Sequence, residues 1–310
     1  MTSNSLTSSR GAGRAGDKVF SGATLAAGCV ILAVLFGVAL FLVVQAFPAL
    51  TASPALIKGG EGFFAYIWPI VIGTLIAATI ALVIATPIAI GVALFISHFA
   101  PRKLASGLGY VVDLLAAIPS VVYGAWGAAF LAKEISPAYN WLATNMGWLP
   151  IFQGPASATG KTILTAGIVL AVMILPIITS LTREIFLQTP TLHEEASLAL
   201  GATRWEMIKM AVLPFARPGI VSAVMLGLGR ALGETMAVAL VLSSGALTAS
   251  LIQTGNQTIA AEIALNFPEA SGLQVSTLIA AGLVLFVITL VVNMIARWII
   301  ARHKEFSGAN

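Results

Sequence analysis

Residues Ile67–Phe99 read IWPIVIGTLIAATIALVIATPIAIGVALFISHF, and this stretch contains no Asp, Glu, Lys or Arg. A helix that crosses about 30 Å of hydrocarbon needs about 20 mainly apolar residues. The stretch exceeds that requirement, so it predicts a transmembrane helix long enough to tilt or to extend beyond the bilayer. Pro69 and Pro87 lie within it, and proline is tolerated in spanning helices, where it can introduce a kink.

The same apolar pattern recurs along the chain. Further runs of sufficient length lie at Phe20–Phe47, Gly107–Ala132, Thr162–Leu181, Ile220–Ser244 and Val275–Ile300. Hydrophobic residues make up 58% of the chain and charged residues 9%, against about 45–50% and about 25% in soluble domains. The sequence therefore predicts an all-α polytopic membrane protein with about six transmembrane helices, and it excludes a soluble enzyme.

The basic residues predict the orientation of these spans, because Lys and Arg concentrate in cytoplasmic segments. With a cytoplasmic N-terminus, the outside segments hold only Lys58, Lys133 and Lys161, and Arg230 lies inside a span. The other basic residues then fall inside: Arg10, Arg14, Lys18, Arg102, Lys103, Arg183, Arg204, Lys209, Arg217, Arg297, Arg302 and Lys304. We therefore expect both termini to be cytoplasmic, with residues 1–19 disordered, 20–66 forming the first span and an outer loop, and 303–310 forming a tail.

No set of residues typical of catalysis or metal binding is recognisable. Cys29 is the single cysteine, and the chain has only three histidines. The segment Gly154–Thr162 resembles a phosphate-binding P-loop, but five residues separate its glycines, where that loop requires four. We expect no catalytic residues, no metal site and no cofactor.

The segment between the fourth and fifth spans carries much of the chain's charge. Thr189-Pro190-Thr191 is typical of a helix start, and Glu194 and Glu195 suit a first turn because carboxylates favour the helix N-terminus. Gly201 would end this helix in a sharp turn, and a second short helix is predicted over 203–210. Two interpretations remain open: a helix lying in the headgroup region, or a docking helix for a cytoplasmic partner.

The residues of this segment resemble the EAA motif of ABC importer permeases. Glu195-Ala196-Ser197, then Gly201, then Ala211 and Leu213-Pro214 follow its spacing, with Ser197 in place of the usual alanine and Ala211 in place of the usual isoleucine. The resemblance implies that residues of about 190–210 form coupling helices against an ATPase subunit. The implied contact residues are Glu194, Glu195, Ala196, Gly201, Ala202 and Arg204.

A charged pair inside the fifth predicted span points to the cargo. Arg230 and Glu234 are four residues apart, so we expect them to share one helix face. Charges at membrane depth are costly and mark functional sites by default; the alternative is a buried ion pair that only locks helix packing. Arginine offers a planar fork that matches an oxyanion, and Gly229 and Gly233 form a small-xxx-small pattern that favours close helix packing.

The stretch Gly229–Val238, GRALGETMAV, resembles the signature of the PstC-type permeases of the phosphate-specific ABC importer. The resemblance implies a type I ABC importer permease (MetI-like) fold over 67–302, in the inner or plasma membrane of a bacterium. It implies a PstA-like second permease, a PstB-like ATPase dimer that hydrolyses the ATP, and a PstS-like periplasmic or lipid-anchored phosphate-binding protein. It also implies that Arg230, Glu234 and Thr235 line the phosphate path; the other expected contacts are membrane lipids, and no nucleic acid.

Rival functions remain open at this point. One rival is a permease for another oxyanion, such as sulfate or molybdate; the context of Arg230 and Glu234 argues against it, and competition in uptake would decide. A secondary transporter working alone often shows inverted repeats with interrupted helices, but no convincing repeat relates the two halves of this chain. We also expect residues 133–160 to form a long outer loop.

Overall fold

The computed structural model describes residues 10–243 and 245–304. The regular secondary structure in these ranges consists of helices, with no strand. The helices are α1 (Arg10–Thr51), α2 (Phe63–Leu94), α3 (Arg102–Ala116), α4 (Ser120–Trp126), α5 (Ala132–Met146), α6 (Ile163–Leu187), α7 (Thr191–Ala199), α8 (Arg204–Met207), α9 (Leu213–Leu232), α10 (Met236–Val241), α11 (Ile259–Asn266) and α12 (Leu273–Lys304). Wider π turns extend α2 over Phe95–Phe99, join α4 to α5 over Gly127–Leu131 and join α8 to α9 over Ile208–Val212.

The helices account for about six membrane crossings, which confirms the predicted fold class. The continuous candidate spans are Gly16–Thr51, Phe63–Phe99, Ile163–Leu187, Arg204–Leu232 and Leu273–Trp298. A sixth crossing results if the bent pair of helices Arg102–Ala116 and Ser120–Met146 counts as one span. The second short helix predicted over 203–210 is in fact the start of a longer one, because α8 runs through a π turn into α9.

The connections between the helices gather at two ends of the bundle. At the end that we call the loop end, Lys58 pairs with Glu262 at 3.1 Å, and the backbone amide of Leu251 donates to the carbonyl of Ile151 at 2.9 Å. At the opposite end, which we call the basic end, lie the start of α3, with Arg102, and the segment containing α7 and α8. This division matches the alternation that the apolar runs predict.

The core is built where α2 packs along α6. Ala77, Ala81, Ala85 and Ala89 recur every four residues on α2, and each is at most 1% exposed. A row of such small side chains lets a neighbouring helix approach closely, which is how spanning helices gain packing energy in lipid. α6 is accordingly the most buried of the spans, with 67% of its apolar window inside the protein.

α1 lies at the periphery and packs mainly against α12. None of its apolar window is buried inside the protein, and side chains such as Phe20 and Phe36 are exposed, as suits a lipid-facing helix. Residues 10–19, for which the sequence predicts disorder, belong to α1 instead. Residues 1–9 and 305–310 lie outside the described ranges, so the disorder and the tail that the sequence predicts there stay predictions.

The third predicted span, Gly107–Ala132, is not one helix. α3 ends at Ala116, and the chain bends by 88° before α4 begins at Ser120. Pro119 lies in this bend with extended backbone torsions, φ −58° and ψ 138°, because proline cannot continue the hydrogen bonding of a preceding helix. The prediction of a long loop over 133–160 is also wrong in its first part, since Ala132–Met146 forms α5.

The fifth predicted span, Ile220–Ser244, is interrupted as well. α9 ends at Leu232, residues 233–235 are not helical, and α10 covers only Met236–Val241; Ser244 itself lies outside the described residues. The chain then returns to the loop end in irregular structure that is held by Asn256, which adopts a left-handed φ of 60°. The buried Asn256 side chain bonds the backbone of Thr248 in both directions, at 2.9 and 3.1 Å.

Candidate functional site

The interruption of α9 at residues 233–235 lies against α4. A Cβ atom at Gly124 would sit 2.5 Å from the Cα atom of Ala237 in α10. Glycine at position 124 therefore lets the backbones of α4 and α10 touch, and this contact fixes where the chain goes after α9. The break after α9 is therefore determined by the packing of α10 against α4.

Arg230 lies in the last turn of α9, immediately before this break, and is half-buried. No carboxylate of the described chain lies within 4.0 Å of the guanidinium, and none of the described hydrogen bonds involves it. A guanidinium that is only half exposed and has no carboxylate partner retains its full capacity to bind an anion.

Glu234 does not pair with Arg230, so the expectation that both share one helix face is wrong. Gly233 ends α9, in keeping with the preference of glycine for helix C-termini, and Glu234 follows outside the helix. Its side chain is buried, and Oε1 accepts a hydrogen bond from the backbone amide of Ala237 at 3.1 Å. Glu234 thus stabilises the start of α10, while Thr235 beside it is half-buried.

Arg230 lines a cleft of about 1100 Å³ that is bounded by α1, α6, α9 and α12. The polar residues of the lining are Arg230, Ser222, Asn293 and Arg297, with no acidic side chain among them, and the remaining walls are mainly apolar. Arg297, which sequence analysis treated only as a cytoplasmic charge, is therefore a second cation of the same cleft. Asn293 and Arg297 lie four residues apart on α12, so helical periodicity was the available signal.

The face of α9 around Gly229 and Gly233 is open. A Cβ atom at Gly229 would meet nothing within 4 Å, and one at Gly233 would meet only the carbonyl oxygen of Gly229. The described chain therefore makes no close helix contact at this pair, and the predicted close approach would have to involve another subunit. It stays a prediction.

The segment predicted to couple to an ATPase divides into an outward and an inward face. α7 exposes Leu192, Glu195 and Ala196, whereas Glu194 and Ser197 are half-buried. The two neighbouring glutamates thus point to different surroundings: Glu195 to the exterior, and Glu194 toward His98 of the spanning helix α2, at 3.5 Å.

Gly201 forms the turn between α7 and α8 with a φ of +90°. A Cβ atom there would meet nothing within 4 Å, so there is space for a side chain. Glycine is favoured at this position because of the positive φ angle. Ala202 is half-buried and Arg204 is exposed. Thr203 and Glu206 form a capping box at the start of α8, in which the Thr203 amide donates to Glu206 Oε2 at 2.8 Å and the Glu206 amide donates to Thr203 Oγ1 at 3.3 Å; sequence analysis missed this signal.

The Gly124 contact permits a prediction about the break. We expect Gly124→Ala to force α4 and α10 apart and to destabilise the protein by about 1–3 kcal/mol, the usual cost of overpacking. Thermal unfolding of the purified protein in detergent measures the loss. Gly91→Ala is the matched control, because a Cβ atom at that helical glycine meets nothing within 4 Å; equal unfolding temperatures for both variants would contradict the close contact.

Several helices long and apolar enough to cross a membrane define a polytopic membrane protein. The family model described as "Binding-protein-dependent transport system inner membrane component" matches residues 85–305. The chain belongs to this family.

Curated relatives agree with that assignment over nearly the whole chain. A protein of Mycobacterium tuberculosis named "Phosphate transport system permease protein PstC 2" is 46% identical over 297 residues, which cover 92% of this chain and 91% of the relative. Proteins named "Phosphate transport system permease protein PstC" from Mycobacterium leprae and Mesorhizobium japonicum are 44% and 39% identical, and cover 84% and 94% of this chain and 85% and 92% of the relatives.

Solved structures show the same fold at low identity. A chain of the MetNI methionine ABC transporter in an inward-facing conformation superposes with a TM-score of 0.54 at 17% identity, covering 78% of this chain and 95% of that one. A chain of a bacterial alginate ABC transporter in complex with its periplasmic protein gives a TM-score of 0.57 at 17% identity, covering 90% and 94%. The predicted MetI-like fold is thereby confirmed.

Proposed function

We propose that this chain is the PstC-type translocation subunit of an ABC importer that moves inorganic phosphate into the cell by alternating access. The observation that carries the proposal is the half-buried Arg230 beside the break in α9, with no carboxylate partner among the described residues. Relatives that share most of the chain are named phosphate transport permeases, which supports phosphate as the cargo.

Phosphate chemistry suits the residues of the cleft. The guanidinium fork donates two parallel hydrogen bonds to a tetrahedral oxyanion and stays charged at every physiological pH. Arg297 lies in the part of α12 that is near the basic end of the bundle. Arg230 lies at the opposite end of α9, far from the basic end. An anion released by Arg230 therefore meets a second cation on its way toward the basic end.

Glu234 and Thr235 contribute to this path because they form the break after α9, next to Arg230. By accepting the Ala237 amide, the Glu234 carboxylate holds α10 in place and keeps the chain interrupted next to Arg230.

The remaining surfaces support a proposal about the partners. A PstA-like permease would cover the open face at Gly229 and Gly233 and complete the path. A PstB-like ATPase dimer would bind α7 and α8 through the exposed Glu195, Ala196 and Arg204, with Gly201 and Ala202 shaping the contact, and would hydrolyse the ATP. A PstS-like binding protein would deliver phosphate at the loop end. The basic end, with both termini, would face the cytoplasm of a bacterium, as its Lys and Arg content favours.

Reconstitution tests this function. The tagged chain, purified from the membranes that naturally contain it, is expected to bring with it a second permease and an ATPase that mass spectrometry identifies. In proteoliposomes with the binding protein, the complex should take up ³²P-phosphate only with ATP, and excess sulfate or molybdate should not compete. Strong competition by either anion would favour the rival oxyanion permease, and uptake by this chain alone without ATP would favour a secondary transporter.

A further inference from the structure

His98 occupies an unusual position for a titratable side chain. It lies in the π turn Phe95–Phe99 that ends α2, and its side chain is only 8% exposed. Both ring nitrogens have partners: Nδ1 lies 2.7 Å from Ser97 Oγ, and Nε2 lies 3.5 Å from Glu194 Oε1. The ring also packs edge-on against Phe186 of α6, with centroids 6.2 Å apart. The imidazole is therefore held in one orientation, with Nε2 directed at α7.

Glu194 is the inward-facing glutamate of α7. Its side chain is 23% exposed, while the neighbouring Glu195 is open to the exterior. Among the described ion pairs and side-chain hydrogen bonds, the contact with His98 is the only one that joins α7 to a spanning helix. The main packing contacts of α7 are with the π turn Ile208–Val212 and α8, which belong to the span that continues into α9, so the contact with His98 is what ties α7 to α2.

α2 connects this contact to the far side of the membrane domain. The helix runs without interruption from Phe63 to Phe99. Near its other end, Tyr66 donates to Glu262 Oε1 at 3.0 Å, and Thr74 Oγ1 accepts the amide of Ile259 at 3.0 Å. The partner residues Glu262 and Ile259 both belong to α11 at the loop end. One rigid helix is thus tied to α7 at the basic end and to α11 at the loop end.

Resting on the function proposed above, we propose that His98 is a positioning residue of the transport cycle that transmits the movement of α7 to α2 through its contact with Glu194. When an ATPase displaces α7, a tied α2 follows and carries the displacement to the loop end. Without the tie, α7 moves while α2 stays behind. Glu195 serves the external contact with the ATPase, and Glu194 serves the internal one.

The test compares His98→Leu with His98→Gln in the full complex in proteoliposomes. Leucine removes the contact, whereas the amide of glutamine can still donate to Glu194. We expect His98→Leu to lower the phosphate moved per ATP hydrolysed by about fivefold or more, the usual scale of coupling between sites, with an unchanged KM for phosphate. His98→Gln should retain most of the coupling. If the leucine variant does not assemble, His98→Asn, whose amide is too short to reach, replaces it.

A double-mutant cycle locates the effect. Glu194→Ala should add little loss to His98→Leu, whereas Glu195→Ala should add its full effect. Wild-type coupling in His98→Leu, or full additivity of Glu194→Ala with it, would overturn the role of His98.

A cargo-independent measurement separates this inference from the proposed function. In a Cys29→Ser background, Glu61→Cys at an exposed position of the loop end reports on that end through its rate of labelling. ATP should change that rate in the wild-type complex and fail to change it in His98→Leu, whichever anion is transported. An equal ATP response in both would refute the tie alone, whereas absent phosphate uptake by the wild type would refute the phosphate function alone.

Discussion

Replacement of Arg230 by alanine is expected to lower ATP-driven phosphate uptake at least about 100-fold. The guanidinium can donate two charge-assisted hydrogen bonds to phosphate, each contributing about 1.5–3 kcal/mol, and about 1.4 kcal/mol corresponds to a factor of ten. Arg230→Lys retains the charge but loses the fork, so we expect an intermediate rate. Uptake of ³²P-phosphate into proteoliposomes measures both.

Arg230→Ala should leave assembly of the protein intact, because Arg230 makes no hydrogen bond or ion pair with a described residue. Arg102→Ala is the control: this arginine is exposed at the start of α3, away from the cleft, and its loss should leave uptake near the wild-type rate. Arg297→Ala should give a smaller loss than Arg230→Ala. Normal uptake by Arg230→Ala would remove the arginine from the path.

Glu195→Lys combined with Gly201→Asp is expected to abolish binding of the ATPase. Phosphate uptake should fall by a factor comparable to that expected for Arg230→Ala. The first change reverses a charge on the exposed face of α7. The second places a side chain at a φ of +90°, which costs about 1–2 kcal/mol for an L-residue and distorts the turn to α8. Co-purification of the ATPase and uptake into proteoliposomes measure the two effects.

Glu134→Lys is the matched control for this charge reversal, since Glu134 is exposed on α5. It should leave ATPase binding unchanged. If the double variant binds the ATPase and transports normally, α7 and α8 are surface helices of the headgroup region, which is the alternative that the sequence left open.

Hydropathy predicts where apolar helices lie but not whether their backbone is continuous. Ile67–Phe99 forms an uninterrupted helix despite Pro69 and Pro87, whereas the run around Pro119 bends by 88°. Proline is also present inside α6 and α9 without breaking them. The outcome depends on whether neighbouring helices support the freed backbone groups, and that information is tertiary.

The site shows the same limit. Arg230 was identified from its charge within an apolar run, which is a local property. Its separation from Glu234 was not predictable from four-residue spacing, because that spacing implies a shared face only if the helix continues past Gly233. The contact of His98 with Glu194 joins residues 96 positions apart, and no periodicity within one helix points to it. The roles of these residues in transport stay predictions.

The pairing of α1 with α12 has a consequence for biosynthesis. α1 is synthesised before α12, its main neighbour, so it stays in the lipid without that neighbour while the helices between them are made. A helix that is apolar on all sides tolerates that delay without a companion, and the long exposed surface of α1 meets this need. The pairing of α1 with α12 can therefore form only after α12 has been made.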